Sequence, residues 1–276
     1  MSDARITPAR GDIAAASLRG KVDAKIFVEG EQQIIATGRT GLRAGPSATS
    51  GMASEVLFGE TVTVYECRDG WAWVQCALDD YVGYLREDVL AAPLAPTHRV
   101  LATSTPLLPA PDVKRPALDL LPMNAMVQVI GHEGRFAQLA SRGFIYADHL
   151  VPLDDKQQDW VATAERFTNT PYIWGGKTAT GMDCSGLVQT ALQPSGLIAP
   201  RDSDMQEKAL GKTVEDLSRP QRGDLIFWKG HVGIMLDGAR MLHANAYSMN
   251  VTIERLAEAI NRIARSGSEV TNVKRL

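Results

Sequence analysis

The chain holds little that would tie it to a membrane, a nucleic acid or an oxidising compartment. No segment approaches the roughly 20 apolar residues that a membrane-spanning helix needs. The opening stretch, 1–24, mixes Asp, Arg and Gly with short alanine runs, and lacks the basic, apolar and small-residue order of a signal peptide. Lys and Arg form no block, and 29 of them against 32 acidic residues leave a net charge of −3. That balance argues against nucleic acid or an anionic membrane as the main partner. Cysteine is scarce, with only Cys67, Cys76 and Cys184. Three thiols do not make a disulfide framework, so the expectation is a cytoplasmic protein with Cys67 and Cys76 as small buried apolar residues.

What is present is ordinary globular material: 45% hydrophobic and 22% charged residues over 276 positions, enough for a core and long enough for two or three domains. After an N-terminal segment, 1–29, the first half reads as β. Thr61–Tyr65, Trp71–Gln75 and Tyr81–Leu85 are short β-rich runs separated by Arg68-Asp69-Gly70 and Asp79-Asp80, which predicts a small barrel over 30–92. A Pro-bearing link, Ala92-Pro93-Leu94-Ala95-Pro96, precedes a weaker copy of the pattern: Met126–Ile130, Phe136–Leu139 and Gly143–Tyr146. These predict a second barrel over 97–152, a diverged repeat of the first.

From 153 to 276 the periodicity changes. Trp160, Val161, Ala164 and Phe167 repeat at helical spacing, as do Leu187, Val188, Ala191 and Leu192. Strands are expected at Leu225–Trp228, Val232–Leu236 and Met241–Ala244, then a helix through Ile253, Leu256, Ile260 and Ile263 ending near Gly267. Helix first and neighbouring strands after it imply an α+β domain with an antiparallel sheet.

The chemistry concentrates in this last domain. Tyr172-Ile173-Trp174-Gly175-Gly176 and Met182-Asp183-Cys184-Ser185-Gly186 describe a glycine-bearing loop feeding a helix that opens at a cysteine. A helix N-terminus stabilises thiolate, and its free N–H groups can hold an oxyanion. His231 follows a tight turn at a strand start, and His243 lies 243 − 231 = 12 residues on, at hairpin distance. Two of the five histidines thus fall where one could act as base and the other fix its tautomer. A packing role would suit any one of these residues alone; the set points to nucleophilic catalysis. Gly175-Gly176-Lys177-Thr178 imitates the end of a phosphate-binding loop, but Pro171 stands where its leading glycine belongs. Zinc on Cys184, His231 and His243 lacks any paired ligand spacing, so no metal or organic cofactor is expected.

These motifs, with Gly223-Asp224-Leu225-Ile226-Phe227, His231-Val232-Gly233-Ile234 and Leu242-His243-Ala244, resemble the NlpC-type papain-like cysteine peptidases. Val56–Glu60, Gly70-Trp71 and Tyr81-Val82-Gly83-Tyr84 resemble bacterial SH3-type domains. Together they are similar to the γ-D-glutamyl-L-diamino-acid endopeptidase subgroup, also called dipeptidyl-peptidase VI. The resemblance implies two SH3-like barrels and a papain-like domain that hydrolyses murein peptides with a free L-alanine, in cell-wall recycling. It implies Cys184, His231 and His243 as catalytic residues. It implies Asp183, Ser185, Tyr172 and Ser203 as substrate residues, joined by Tyr81 and Glu55 or Glu60 of the first barrel, which would cap the site. A related amidase, an acyltransferase and a non-catalytic wall-peptide binder remain alternatives, and oligomeric state is not legible.

Overall fold

The computed structural model describes residues 3–215 and 219–276; Met1 and Ser2 of the expected N-terminal segment lie outside the described residues. The chain divides into two compact units, Met1–Asp154 and Asp155–Leu276. Among the described residues no helix is long and apolar enough to cross a membrane.

The first unit is built almost wholly of short strands. Met52–Leu57, Arg39–Arg43, Val82–Arg86, Trp71–Cys76, Thr61–Arg68, Glu31–Ile35 and Leu90–Ala91 are neighbours, in that order, in one antiparallel sheet. The turn at Asp69-Gly70 closes its central hairpin with both residues at positive φ (53° and 76°), a conformation that glycine adopts without strain and Asp tolerates. Alternate residues of these strands, among them Leu42, Val56, Val62, Val74 and Leu85, meet in one core. Arg10 of the N-terminal segment lies over the Trp73 ring, 4.5 Å from its centroid, and donates to Glu66 at 2.7 Å.

A second core gathers Val100, Leu107, Leu121, Val127, Leu139 and Ile145 from three small sheets, and Phe58, in the turn after the strand Met52–Leu57, enters it. The run Met126–Ile130 is interrupted: Met126–Val127 pairs with His98–Val100, whereas Val129–Glu133 pairs with Phe136–Leu139. Cys76 lies in the first core, as expected, but Cys67 is exposed. It is the penultimate residue of its strand, paired with Ala72 beyond a register shift between Val64 and Glu66, at the exposed end of the hairpin. All three cysteines are free thiols.

The second unit is α+β. Helix α1 (Trp160–Glu165) is capped by Asp159, whose carboxylate accepts from the Ala162 N–H at 2.9 Å. Helices α2 (Cys184–Leu192) and α3 (Ser203–Ala209) follow. Strands β1 (Lys212–Thr213), β2 (Leu225–Trp228), β3 (His231–Met235), β4 (Arg240–Asn245), β5 (Asn250–Arg255) and β6 (Val270–Arg275) form an antiparallel sheet of order β1-β6-β2-β3-β4-β5. Ile253, expected to open the last helix, instead lies inside β5, where it pairs with Leu242; helix α4 is Leu256–Ala264. Sheet pairing with β4 overrides the helical spacing that Ile253 shares with Leu256 and Ile260. Leu256, Ile260 and Ile263 pack on Ile226, Trp228, Met235, Met241 and Val273. Helix α2 packs against β3 and β4, and every one of its nine residues is buried.

Candidate active site

The N-terminus of α2 is organised by one carboxylate. Asp183 is the N-cap, accepting from the Gly186 N–H at 2.7 Å, and its second oxygen accepts from the Gly175 N–H at 2.8 Å. Arg201 grips the same carboxylate with two nitrogens at 2.9 and 2.7 Å, and the Ser185 hydroxyl donates at 3.3 Å. Asp183 and Arg201 are almost fully buried, 6% and 1% exposed. Five donors saturate the roughly four lone pairs of a carboxylate. The preceding loop is drawn tight against the helix: Gly175 takes φ 78°, and a Cβ on Gly186 would fall 2.2 Å from the Gly176 carbonyl oxygen. Cys184 is thereby fixed as the first residue of α2. The Val232 N–H, next in sequence to His231, donates to its sulfur.

The second element is the hairpin of β3 and β4. His231 Nε2 and His243 Nδ1 are 2.8 Å apart. His243 is fully buried, and its Nε2 meets Glu254 Oε1 at 2.9 Å and Asn245 Nδ2 at 3.1 Å. The Asn245 carbonyl oxygen accepts from the Ser248 N–H and hydroxyl at 2.8 and 3.0 Å, which fixes the amide so that its nitrogen faces the ring. Arg262 of α4 is ion-paired with Glu254 and lies 4.5 Å over the Tyr247 ring. Trp228 packs beside His231, ring centroids 5.6 Å apart.

Burial dominates the titration of this site. It pushes the Cys184 thiol up to about 12, with the Asp183 charge adding to the rise and the Val232 N–H opposing it. Burial, with His243 and Arg262, pushes the His231 imidazole down to about 3, against a smaller upward pull from Glu254. Both shifts favour the neutral thiol and the neutral imidazole, a pair that becomes reactive by handing a proton from one to the other. The Tyr172 hydroxyl is raised to about 12 by burial and by the nearby Cys184 and Asp183. Tyr172 is held by its N–H on the Met249 carbonyl at 2.9 Å, close to the thiol it was expected to accompany. Among the described residues no cluster of three or more His, Cys, Asp and Glu side chains is gathered as a metal site.

The structure brings Tyr172, Asp183, Cys184 and Ser185 together at one helix end, and His231 and His243 together on one hairpin. Ser203 opens α3 and is buried. Glu55 and Tyr81 belong to the first unit: Glu55 is buried and ion-paired with Arg39, and Tyr81 is part of the first core. Glu60 is also buried, its carboxylate accepting from the Leu57 N–H at 3.0 Å within its own turn. Sequence reasoning missed Arg201, Gln206, Asn245 and Glu254. Gln206 donates to the Ser185 and Pro200 carbonyls at 2.9 and 2.8 Å, joining α3 to the start of α2.

Two family models match the chain. The NlpC/P60 family covers residues 169–264, and the bacterial dipeptidyl-peptidase SH3 domain covers 42–90. The chain is 28% identical over 240 residues to a γ-D-glutamyl-L-lysine dipeptidyl-peptidase of Bacillus subtilis, with 79% of this chain and 80% of the relative covered. It is 27% identical to dipeptidyl-peptidase 6 of Lysinibacillus sphaericus, over 79% of this chain and 89% of the relative. The crystal structure of an NlpC/P60 family protein from Bacillus cereus shares the fold, with a TM-score of 0.75 at 20% identity over 89% of this chain and 99% of the other.

Proposed function

We propose that the chain, whose residues 169–264 match the NlpC/P60 family, is a cysteine peptidase that hydrolyses the γ-D-glutamyl–diamino acid bond of murein peptides with a free N-terminal L-alanine. The observation that carries the reading is a cysteine at a capped helix start, its sulfur bonded by the residue next to a histidine that is itself hydrogen-bonded to a second, buried histidine. The name of the Bacillus subtilis relative, a γ-D-glutamyl-L-lysine dipeptidyl-peptidase, supports the choice of bond.

In this mechanism His231 uses Nε2 toward His243 and keeps Nδ1 for the thiol. The Cys184 proton passes to Nδ1 as the sulfur attacks the γ-carbonyl carbon, and the backbone at the start of α2, with the Tyr172 hydroxyl, holds the oxyanion. The imidazolium gives its proton to the leaving amine. Water, deprotonated by His231, then releases the acyl group and restores the thiol. Asp183 has its lone pairs committed, so its part is to hold Gly175, Ser185 and Arg201 in place around the substrate. Ser185 and Ser203 remain substrate residues in this proposal, as do Tyr81 and Glu55 for the amine. Three free thiols fit a reducing compartment, which supports recycling of wall fragments in the cytoplasm.

The test is a matched pair of substrates, L-Ala-γ-D-Glu-meso-diaminopimelate and its N-acetylated form. Cleavage of the free peptide at least about 100-fold faster is expected if the ammonium is bound by charged partners, each charge-assisted bond contributing about 1.5–3 kcal/mol. Equal rates would refute recognition of the free amine.

A further inference from the structure

His243 faces two groups that want opposite things from the same nitrogen. Its Nε2 lies 2.9 Å from a Glu254 carboxylate oxygen, which can only accept, and 3.1 Å from the Asn245 amide nitrogen, which can only donate. The amide cannot turn over to relieve the conflict, because its oxygen is held by the Ser248 N–H and hydroxyl. A neutral imidazole carries one N–H and one lone pair, so only one neighbour is satisfied at a time.

The choice reaches the thiol. With Asn245 donating, the His243 proton sits on Nδ1 and points at His231 Nε2. That drives the His231 proton onto its own Nδ1, leaving no lone pair for Cys184. With Glu254 accepting, His243 holds its proton on Nε2, and Nδ1 accepts from His231 Nε2–H. The lone pair of His231 Nδ1 is then free to act as base. A bond to a carboxylate is stronger than one between neutral groups, so Glu254 prevails. We propose that Glu254 is a positioning residue that selects the catalytic tautomer of both histidines, with Asn245 as the competing partner and Arg262 restraining the carboxylate from α4. The assignment rests on the proposed Cys184–His231 chemistry and adds a fourth member behind it. Glu254 titrates below the usual glutamate value, chiefly through its bond to His243, so the carboxylate is ionised at neutral pH.

The test is E254Q, alone and combined with N245D. In E254Q the single carbonyl oxygen is left to Arg262 and Asn245 takes His243. The expected result is a fall in kcat on the order of 100-fold with KM little changed, as for a triad base held in the wrong tautomer. Alkylation of Cys184 by iodoacetamide should slow in parallel. N245D keeps the oxygen that Ser248 needs and turns the competing donor into a carboxylate acceptor. Added to E254Q, it should restore both rates at least about tenfold, since a charge-assisted acceptor again faces Nε2. A merely structural Glu254 predicts the reverse: a double variant no faster than E254Q, or an E254Q enzyme with full activity, overturns the proposal.

Should E254Q not fold, R262M reports instead. The charged side chains behind His231 are Glu254 and Arg262, with the His243 ring between; losing the cation favours imidazolium, so the acid limb of the alkylation profile should move to higher pH. An unmoved limb contradicts the assignment. Iodoacetamide reads the thiol and its base without any peptide. A wild-type protein that is alkylated fast yet cuts no γ-D-glutamyl peptide overturns the substrate reading and leaves this one standing.

Discussion

Replacing Arg201 by methionine removes the cation from an almost fully buried carboxylate. Arg201 makes two contacts to Asp183 at 2.9 and 2.7 Å, one to the Ser185 hydroxyl at 3.0 Å and a longer one to the Gly176 carbonyl at 3.4 Å. Breaking a buried ion pair from one side costs about 3–5 kcal/mol. Asp183 keeps the Gly175 and Gly186 N–H groups and the positive end of α2, so the lower figure, about 3 kcal/mol, applies. Native-state hydrogen exchange at the α2 amides of Val188, Thr190 and Ala191 reads this unit without requiring the whole chain to unfold in one step. At about 1.4 kcal/mol per decade, those amides should exchange about 100-fold faster in R201M. In D183N combined with R201M the buried charge is gone, and most of that loss should disappear. A single variant that exchanges like the wild type, or a double variant worse than the single, would show that the Asp183 charge is neutralised by something other than Arg201.

Two more expectations follow from the same geometry. His231 is held well below the ordinary imidazole value of 6.5, at about 3, so between those limits the unfolded chain binds the extra proton. Stability is therefore lost as pH falls from 6.5 toward 3, and H231N should flatten that part of the Tm-against-pH curve; an unchanged slope would assign it elsewhere. Gly186 sits in a helix, where alanine normally helps, but its Cβ would meet the Gly176 carbonyl at 2.2 Å. G186A should therefore destabilise by about 1–3 kcal/mol and lower activity, and a stabilised, active variant would refute the close approach.

How much of this was legible beforehand depends on how local the signal is. Cys184 and His243 stand in short motifs whose meaning lies within a few residues, and the order of a strand-rich first unit, then helices, then an antiparallel sheet follows from periodicity. Arg201 and Glu254 carry no such mark: each is a charged residue in a polar run, made functional by partners 18 and 11 positions away in sequence, since 201 − 183 = 18 and 254 − 243 = 11. Glu254 was further hidden because Ile253 fits a helical repeat, whereas β5 claims both residues for the sheet. Cys67 illustrates the opposite error, a residue type that is usually buried placed at the end of its strand.

The central claim is that Cys184 carries an acyl transfer at the γ-D-glutamyl amide, and product analysis by mass spectrometry tests it most directly. With L-Ala-γ-D-Glu-meso-diaminopimelate, the native protein should release L-Ala-γ-D-Glu and free diaminopimelate, and C184A should release neither. Cleavage that persists in C184A, or none by the native protein, would contradict it.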